Sequence, residues 1–131
     1  MRRYIGISSV LLVAACYHGP SIYKFAPVQG PAGIDADLRL RTKTVIQGEL
    51  LEVQDSALII LTDSNRVVSV VVSAIRRGRF DTLGDLIADG DTPKSALAKL
   101  RNFSRFPSGL SPELRARLLA AYGQTAVDVA R

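Results

Sequence analysis

Four groups of side chains are of types that could do chemistry. Cys16 is the single cysteine of the 131-residue chain, and it closes the run VAAC behind the apolar stretch Ile5 to Val13. A thiolate is a strong nucleophile that a serine hydroxyl does not replace. His18 is the single histidine. A general base or a metal ligand needs partners, and the Gly- and Pro-rich chain around His18 supplies none, so it reads as a solvated linker residue. Arg76, Arg77 and Arg79 in RRGRF are the sharpest cluster of charge, placed at the end of a β-rich run. Guanidinium groups clasp a phosphate or a carboxylate bidentately. The other reading is a solvated loop whose charge is balanced by Asp81 and Asp85. The fourth group is the aspartates of DTLGDLIADGD, Asp81 to Asp91. A calcium loop needs ligands at alternating positions and a closing Glu. Asp89-Gly90-Asp91 lacks that continuation, so a polar connection is expected there and not a metal site.

These residues set up no catalytic, cofactor-binding or metal-binding constellation. One cysteine excludes an internal disulfide framework, and a Cys/His zinc cage lacks ligands. No Ser, Lys or carboxylate spacing builds a nucleophile with its base. A protein without enzymatic activity or cofactor is the expectation.

The surroundings of Cys16 give its thiol a different use. Arg2 and Arg3 precede the apolar run, and Ala14 and Ala15 follow it. A basic start, a short apolar run and small residues are the layout of a secretory signal peptide. The run is too short to span hydrocarbon, which takes about 20 residues. VAAC resembles the lipobox of bacterial lipoproteins, with Val13 where Leu is commoner. The resemblance implies a diacylglyceryl group on the Cys16 thiol and cleavage between Ala15 and Cys16, so that residues 1–15 are a signal peptide. It implies two or three acyl chains in all. Burial contributes about 0.8 kcal/mol per methylene, and several chains hold a protein on a membrane where one binds reversibly. Tyr17 stands where an Asp would favour the inner membrane. The resemblance therefore places the protein on the periplasmic face of the outer membrane in a Gram-negative cell, and otherwise on the extracellular face of the cell membrane. The alternative is a buried free thiol at the end of a short apolar helix.

Residues 16–33 follow as a lipidated cysteine and a tether. Pro20, Pro27 and Pro31 alternate with Gly19, Gly30 and Gly33, and no apolar period survives. Fully extended, the stretch after Cys16 reaches at most about 56–61 Å. Tyr23 and Phe25 could instead dock on the domain.

Residues 34–131 read as one α+β domain: a small antiparallel β-meander or partial barrel, followed by two amphipathic helices. In IDADLRLRT, Ile34, Ala36, Leu38 and Leu40 alternate with charged residues, which is a half-buried strand. Thr44 to Val53 is a second strand, with Gly48 marking a bulge or sharp bend. Ala57 to Thr62 is a third, apolar enough to be buried on both faces, and Arg66 to Ile75 a fourth. Asp55-Ser56 and Asp63-Ser64-Asn65 make the turns between them. The β segment is expected over 34–80 and a helical segment over 81–131. Thr92 and Pro93 open a helix to about Phe103, with Ala96, Leu97, Leu100 and Phe103 inward. Ser111, Pro112 and Glu113 open a second, with Leu114, Leu118, Ala121 and Tyr122 on one face, Arg115 and Arg117 toward water, and Gly123 as its C-cap. The last residues either fray or add a short extension.

The middle segment resembles a small SH3-like or Sm-like barrel, through GELLEVQDSALIIL (Gly48 to Leu61) and AIRRG (Ala74 to Gly78). The asparagine that Sm proteins place around bound uridine is absent near Ile59, as is a preceding helix, so the likeness covers the fold without the residues that carry RNA binding. Formal charge is +5, and without Arg2 and Arg3 fifteen basic residues face twelve acidic ones, net +3. That is no nucleic-acid footprint. The expected function is a membrane-anchored envelope lipoprotein with a small binding or scaffolding domain, whose partner is an envelope protein or peptidoglycan. A nucleic-acid-binding Sm-like module in the cytoplasm is the alternative.

Overall fold

The structure is a computed structural model that describes residues 32–89 and 93–131. Alternation in the first strand, β1 (Asp35–Leu40), buries Ala36, Leu38 and Leu40 and exposes the residues between them more. β2 (Val45–Val53), β3 (Ala57–Thr62) and β4 (Val67–Val71) follow as an antiparallel meander. A 3₁₀ turn over Val72–Ala74 leads to β5 (Ile75–Phe80) and β6 (Gly84–Ala88). Two helices, α1 (Lys94–Phe103) and α2 (Pro112–Ala121), precede a short last strand, β7 (Asp128–Ala130). The fold is α+β, a seven-stranded and mostly antiparallel sheet in the order β6-β5-β1-β2-β3-β4-β7, with two helices.

Connectivity dictates the shape of that sheet. β5 comes only three residues after β4, yet it pairs with β1, on the far side of β2 and β3. So short a link joins such distant strands only when the sheet curls toward a barrel. The curl has local causes. A Cβ on Gly48 would overlap the Leu61 carbonyl, so only glycine lets β3 come that close. The β2–β3 register then slips between Leu50 and Glu52, a bulge that bends the strand further. The sheet stays open, with β6 and β7 as its edges and β7 parallel to β4.

Curling separates two apolar cores. Leu38, Leu50, Leu58, Ile60, Val70, Ile75 and Phe80 fill the concave side, and Leu100 of α1 closes it. Leu51, Ile59, Val67, Phe106, Leu118 and Leu119 form a second cluster under α2. β3 is therefore buried on both faces, as its unbroken apolar run requires: Leu58 and Ile60 point into one cluster and Ile59 into the other.

Several sequence expectations need correction. The fourth strand ends at Val71, not Ile75, because the chain must turn through 72–74 to reach β1. Residues 34–80 hold five strands, not four, and 81–131 contribute β6 and β7 besides the helices. β6 lies just before Asp89, in a segment where no strand was expected. Pro93 caps α1 and does not begin it, and Thr92 lies outside the described residues. Phe103 is 43% exposed because α1 ends there, and Phe106 takes the buried place instead. Arg115 pairs with Glu52 at 3.2 Å while Arg117 faces water. The second helix starts as expected: the Ser111 hydroxyl accepts from the Leu114 N–H at 3.1 Å, and Gly123 takes φ 72° past its end.

Candidate functional site

Cys16, Ala15 and His18 lie outside the described residues. Arg76, Arg77 and Arg79 lie within β5 and not in a loop, so the positions that surround them are fixed by strand pairing. Arg77 stands opposite Arg39 of β1, and Arg79 opposite Asp37. Arg76 has no partner on β1, because the register slips where Leu40 faces Ile75 and Arg39 faces Arg77. Such a bulge breaks strand alternation. As a result Arg76 and Arg77 are consecutive and both exposed, between buried Ile75 and Gly78.

Pairing across four strands arranges the convex face in rows. One row runs Val45, Arg39, Arg77, Ala88 from β2 to β6. The adjacent row runs Gln47, Asp37, Arg79, Asp85. The second row is electrically matched. The Gln47 amide donates to Asp37 Oδ2 at 3.2 Å, and Arg79 lies 3.8 Å from Asp85. Asp37 Oδ1 is buried and has no hydrogen-bond partner among the described residues. The first row is not matched. It sets two arginines at directly opposed strand positions, and like charges so placed weaken a sheet. Arg77 reaches sideways to Asp85 at 3.2 Å, whereas Arg39 and Arg76 make no ion pair among the described residues. Beyond this second row, which carries two carboxylates and one guanidinium, lies an acidic end, where Asp35 faces Glu49 and its carbonyl accepts from the Asp81 N–H at 3.0 Å.

Charge therefore changes sign along β1 and the turn after it, from Asp35 to Arg41. β5 runs antiparallel with the opposite gradient, from Arg76 to Asp81 just past its end, so like ends lie side by side. A groove of about 590 Å³ occupies the basic end, with Arg39, Lys43, Arg76 and Arg77 around Val45 and Ala88. Asp85 and Asp89 are its only acidic side chains. Its far wall is held by Arg41, whose guanidinium donates to the carbonyls of Ser73 and Asp89 and ties the 3₁₀ turn to the end of β6. A second groove of about 670 Å³ lies at the acidic end, among Asp35, Asp37, Asp63 and Asp81.

The buried charges are used differently. Arg105 grips Glu49 through two parallel bonds of 2.6 and 2.7 Å, and Glu49 also accepts from the Gly33 N–H at 2.7 Å. Glu52 accepts from the Leu110 N–H at 3.1 Å and from Arg115. Both carboxylates satisfy backbone, Glu49 at Gly33 just before β1 and Glu52 at Leu110 in the α1–α2 connection. Among the described residues no three His, Cys, Asp or Glu side chains gather in a way that could hold a metal ion. No helix among them is long and apolar enough to cross a membrane.

Sequence reasoning singled out Arg76, Arg77 and Arg79 but not Arg39 or Lys43. The outward arginines of LRLRT were visible; that β1 and β5 pair was not. Comparison with family models, with curated proteins and with solved structures found no match to this chain.

Proposed function

We propose that the chain is a cell-envelope lipoprotein, anchored by acyl chains on Cys16, whose domain over residues 34–131 is a small binding or scaffolding module. The observation that carries this reading is the order of residues before Cys16: Arg2 and Arg3, the apolar run, Ala14 and Ala15, then the single cysteine. The way the chain enters the domain agrees with it. Gly33 is clamped on Glu49, and a Cβ there would overlap the Leu50 carbonyl, so the tether ends at a fixed point beside β2. The exposed, charge-graded face of β1, β5 and β6 is the surface such a module would offer to a partner in the envelope, a protein or peptidoglycan.

A second reading has one observation in its favour. The curled meander in which β5 returns to β1 fits the likeness to a small Sm-like barrel. That reading makes the domain a nucleic-acid-binding module and requires a cytoplasmic chain.

Fractionation of cells that carry Cys16→Ser tests the two. The anchored reading predicts wild-type protein in the membrane and variant protein released or mislocalised. Unchanged membrane association of the variant would refute the anchor. Soluble cytosolic wild-type protein that takes up no labelled fatty acid would favour the second reading.

A further inference from the structure

We infer that the basic groove over β1, β5 and β6 binds a phosphate ester, with the phosphate bridging Arg39 and Arg77 and the apolar part of the ligand lying on Val45 and Ala88. The inference rests on reading the domain as a binding module and does not depend on the anchor at Cys16.

The first argument is the cost of the empty arrangement. Directly opposed like charges weaken a sheet, and a protein that only needed a stable strand pair would place a neutral or acidic residue at one of the two positions. The neighbouring row does this, with Asp37 opposite Arg79. The second argument is the bulge at Arg76. It lies where β5 leaves the 3₁₀ turn, and it brings a further exposed guanidinium to the same groove. The third is stoichiometry of charge. Four cations line the groove against Asp85 and Asp89, a surplus of two. A phosphate monoester carries up to about two negative charges at neutral pH, where a carboxylate carries one. Arginine forks match phosphate oxygens bidentately. The fourth is the ends of the row. Val45 is 52% exposed, an apolar side chain left beside the cations for a ligand to cover. The volume also lies within the roughly 300–1,000 Å³ of small-ligand sites. Arg79, part of the original triple, is excluded: it does not line this groove, and it lies with Asp37 and Asp85 in the matched row.

The test uses the full chain, purified in micelles of an uncharged detergent, with its arginine Nε–H resonances observed by NMR. Inorganic phosphate, then glycerol phosphate, are titrated; in a separate arm phosphatidylglycerol is doped into the micelles against a phosphatidylcholine control. We expect saturable shifts at Arg39 and Arg77. Arg39→Gln and Arg77→Gln should each weaken binding by roughly tenfold, and Arg117→Gln should leave it unchanged. Saturation by the free phosphates identifies a soluble ester as the ligand, and saturation by phosphatidylglycerol alone identifies a lipid headgroup. The inference is overturned if nothing saturates, or if Arg117 responds as strongly as Arg39. Tighter Arg39-dependent binding of a single-stranded RNA than of any phosphate probe also overturns it. The mass of the same sample reports acylation of Cys16, so this site and the anchor fail separately.

Discussion

At the residue scale, two kinds of charged contact do opposite things. Arg105 and Glu49 are nearly buried, with side chains 7% and 15% exposed, and the pair holds the tether junction to β2. Removing one partner strands the other charge in the interior. Arg105→Ala should therefore cost about 3–5 kcal/mol, read as a lower urea midpoint, whereas Arg105→Met combined with Glu49→Leu should cost much less. Arg39 and Arg77 form the contrary case, an exposed like-charged pair in which Arg77 has Asp85 at 3.2 Å and Arg39 makes no ion pair among the described residues. Arg39→Thr should raise stability by about 0.2–1 kcal/mol in phosphate-free buffer, measured by the same denaturation. A loss of stability in that variant would mean that Arg39 serves the fold, and the argument for a ligand would lose its main support.

At the element scale, most strands and both helices were legible because each has one strong local signal. Alternation located β1, an unbroken apolar run located β3 and predicted its two-sided burial, and Ser111-Pro112 located the start of α2. Gly48 was read as a bulge or sharp bend, and the register slips between Leu50 and Glu52, beyond it. What was not legible depends on pairing over distance. Nothing local in RVVSVVVSAI marks the turn at Val72, since its β-branched residues favour a strand throughout; the turn exists because β5 must reach β1. β6 was hidden among aspartates that sit at an exposed edge. β7 was hidden because three residues carry no period. Its dock is made by Gln124, which is buried and joins β4 as a strand would: its carbonyl accepts from the Val67 N–H at 2.7 Å and its amide donates to the Val67 carbonyl at 3.0 Å. Gln124→Ala leaves both backbone groups unpaired. It should cost about 1–3 kcal/mol and raise amide exchange along β4 and β7, with β1 and β5 unaffected.

At the scale of the whole molecule, the arrangement of charge relates the anchor to the groove. The chain enters the domain at the acidic end of β1, and the basic row lies four residues further along the strand, about 13 Å away. The end that carries the arginines is thus not the end at which the chain enters. If the chain is anchored at Cys16 as proposed, the stretch from Tyr17 to Gly33, at most about 56–61 Å when fully extended, would let that end work away from the membrane or against it. Both arrangements require that the chain is leashed at all, which makes the sulfur of Cys16 the point on which the account turns. Intact-mass and peptide mass spectrometry of the protein isolated from its native cells tests it most directly. The account predicts a chain beginning at Cys16 with acyl groups on that residue; a chain that retains residues 1–15 and bears no lipid would contradict it.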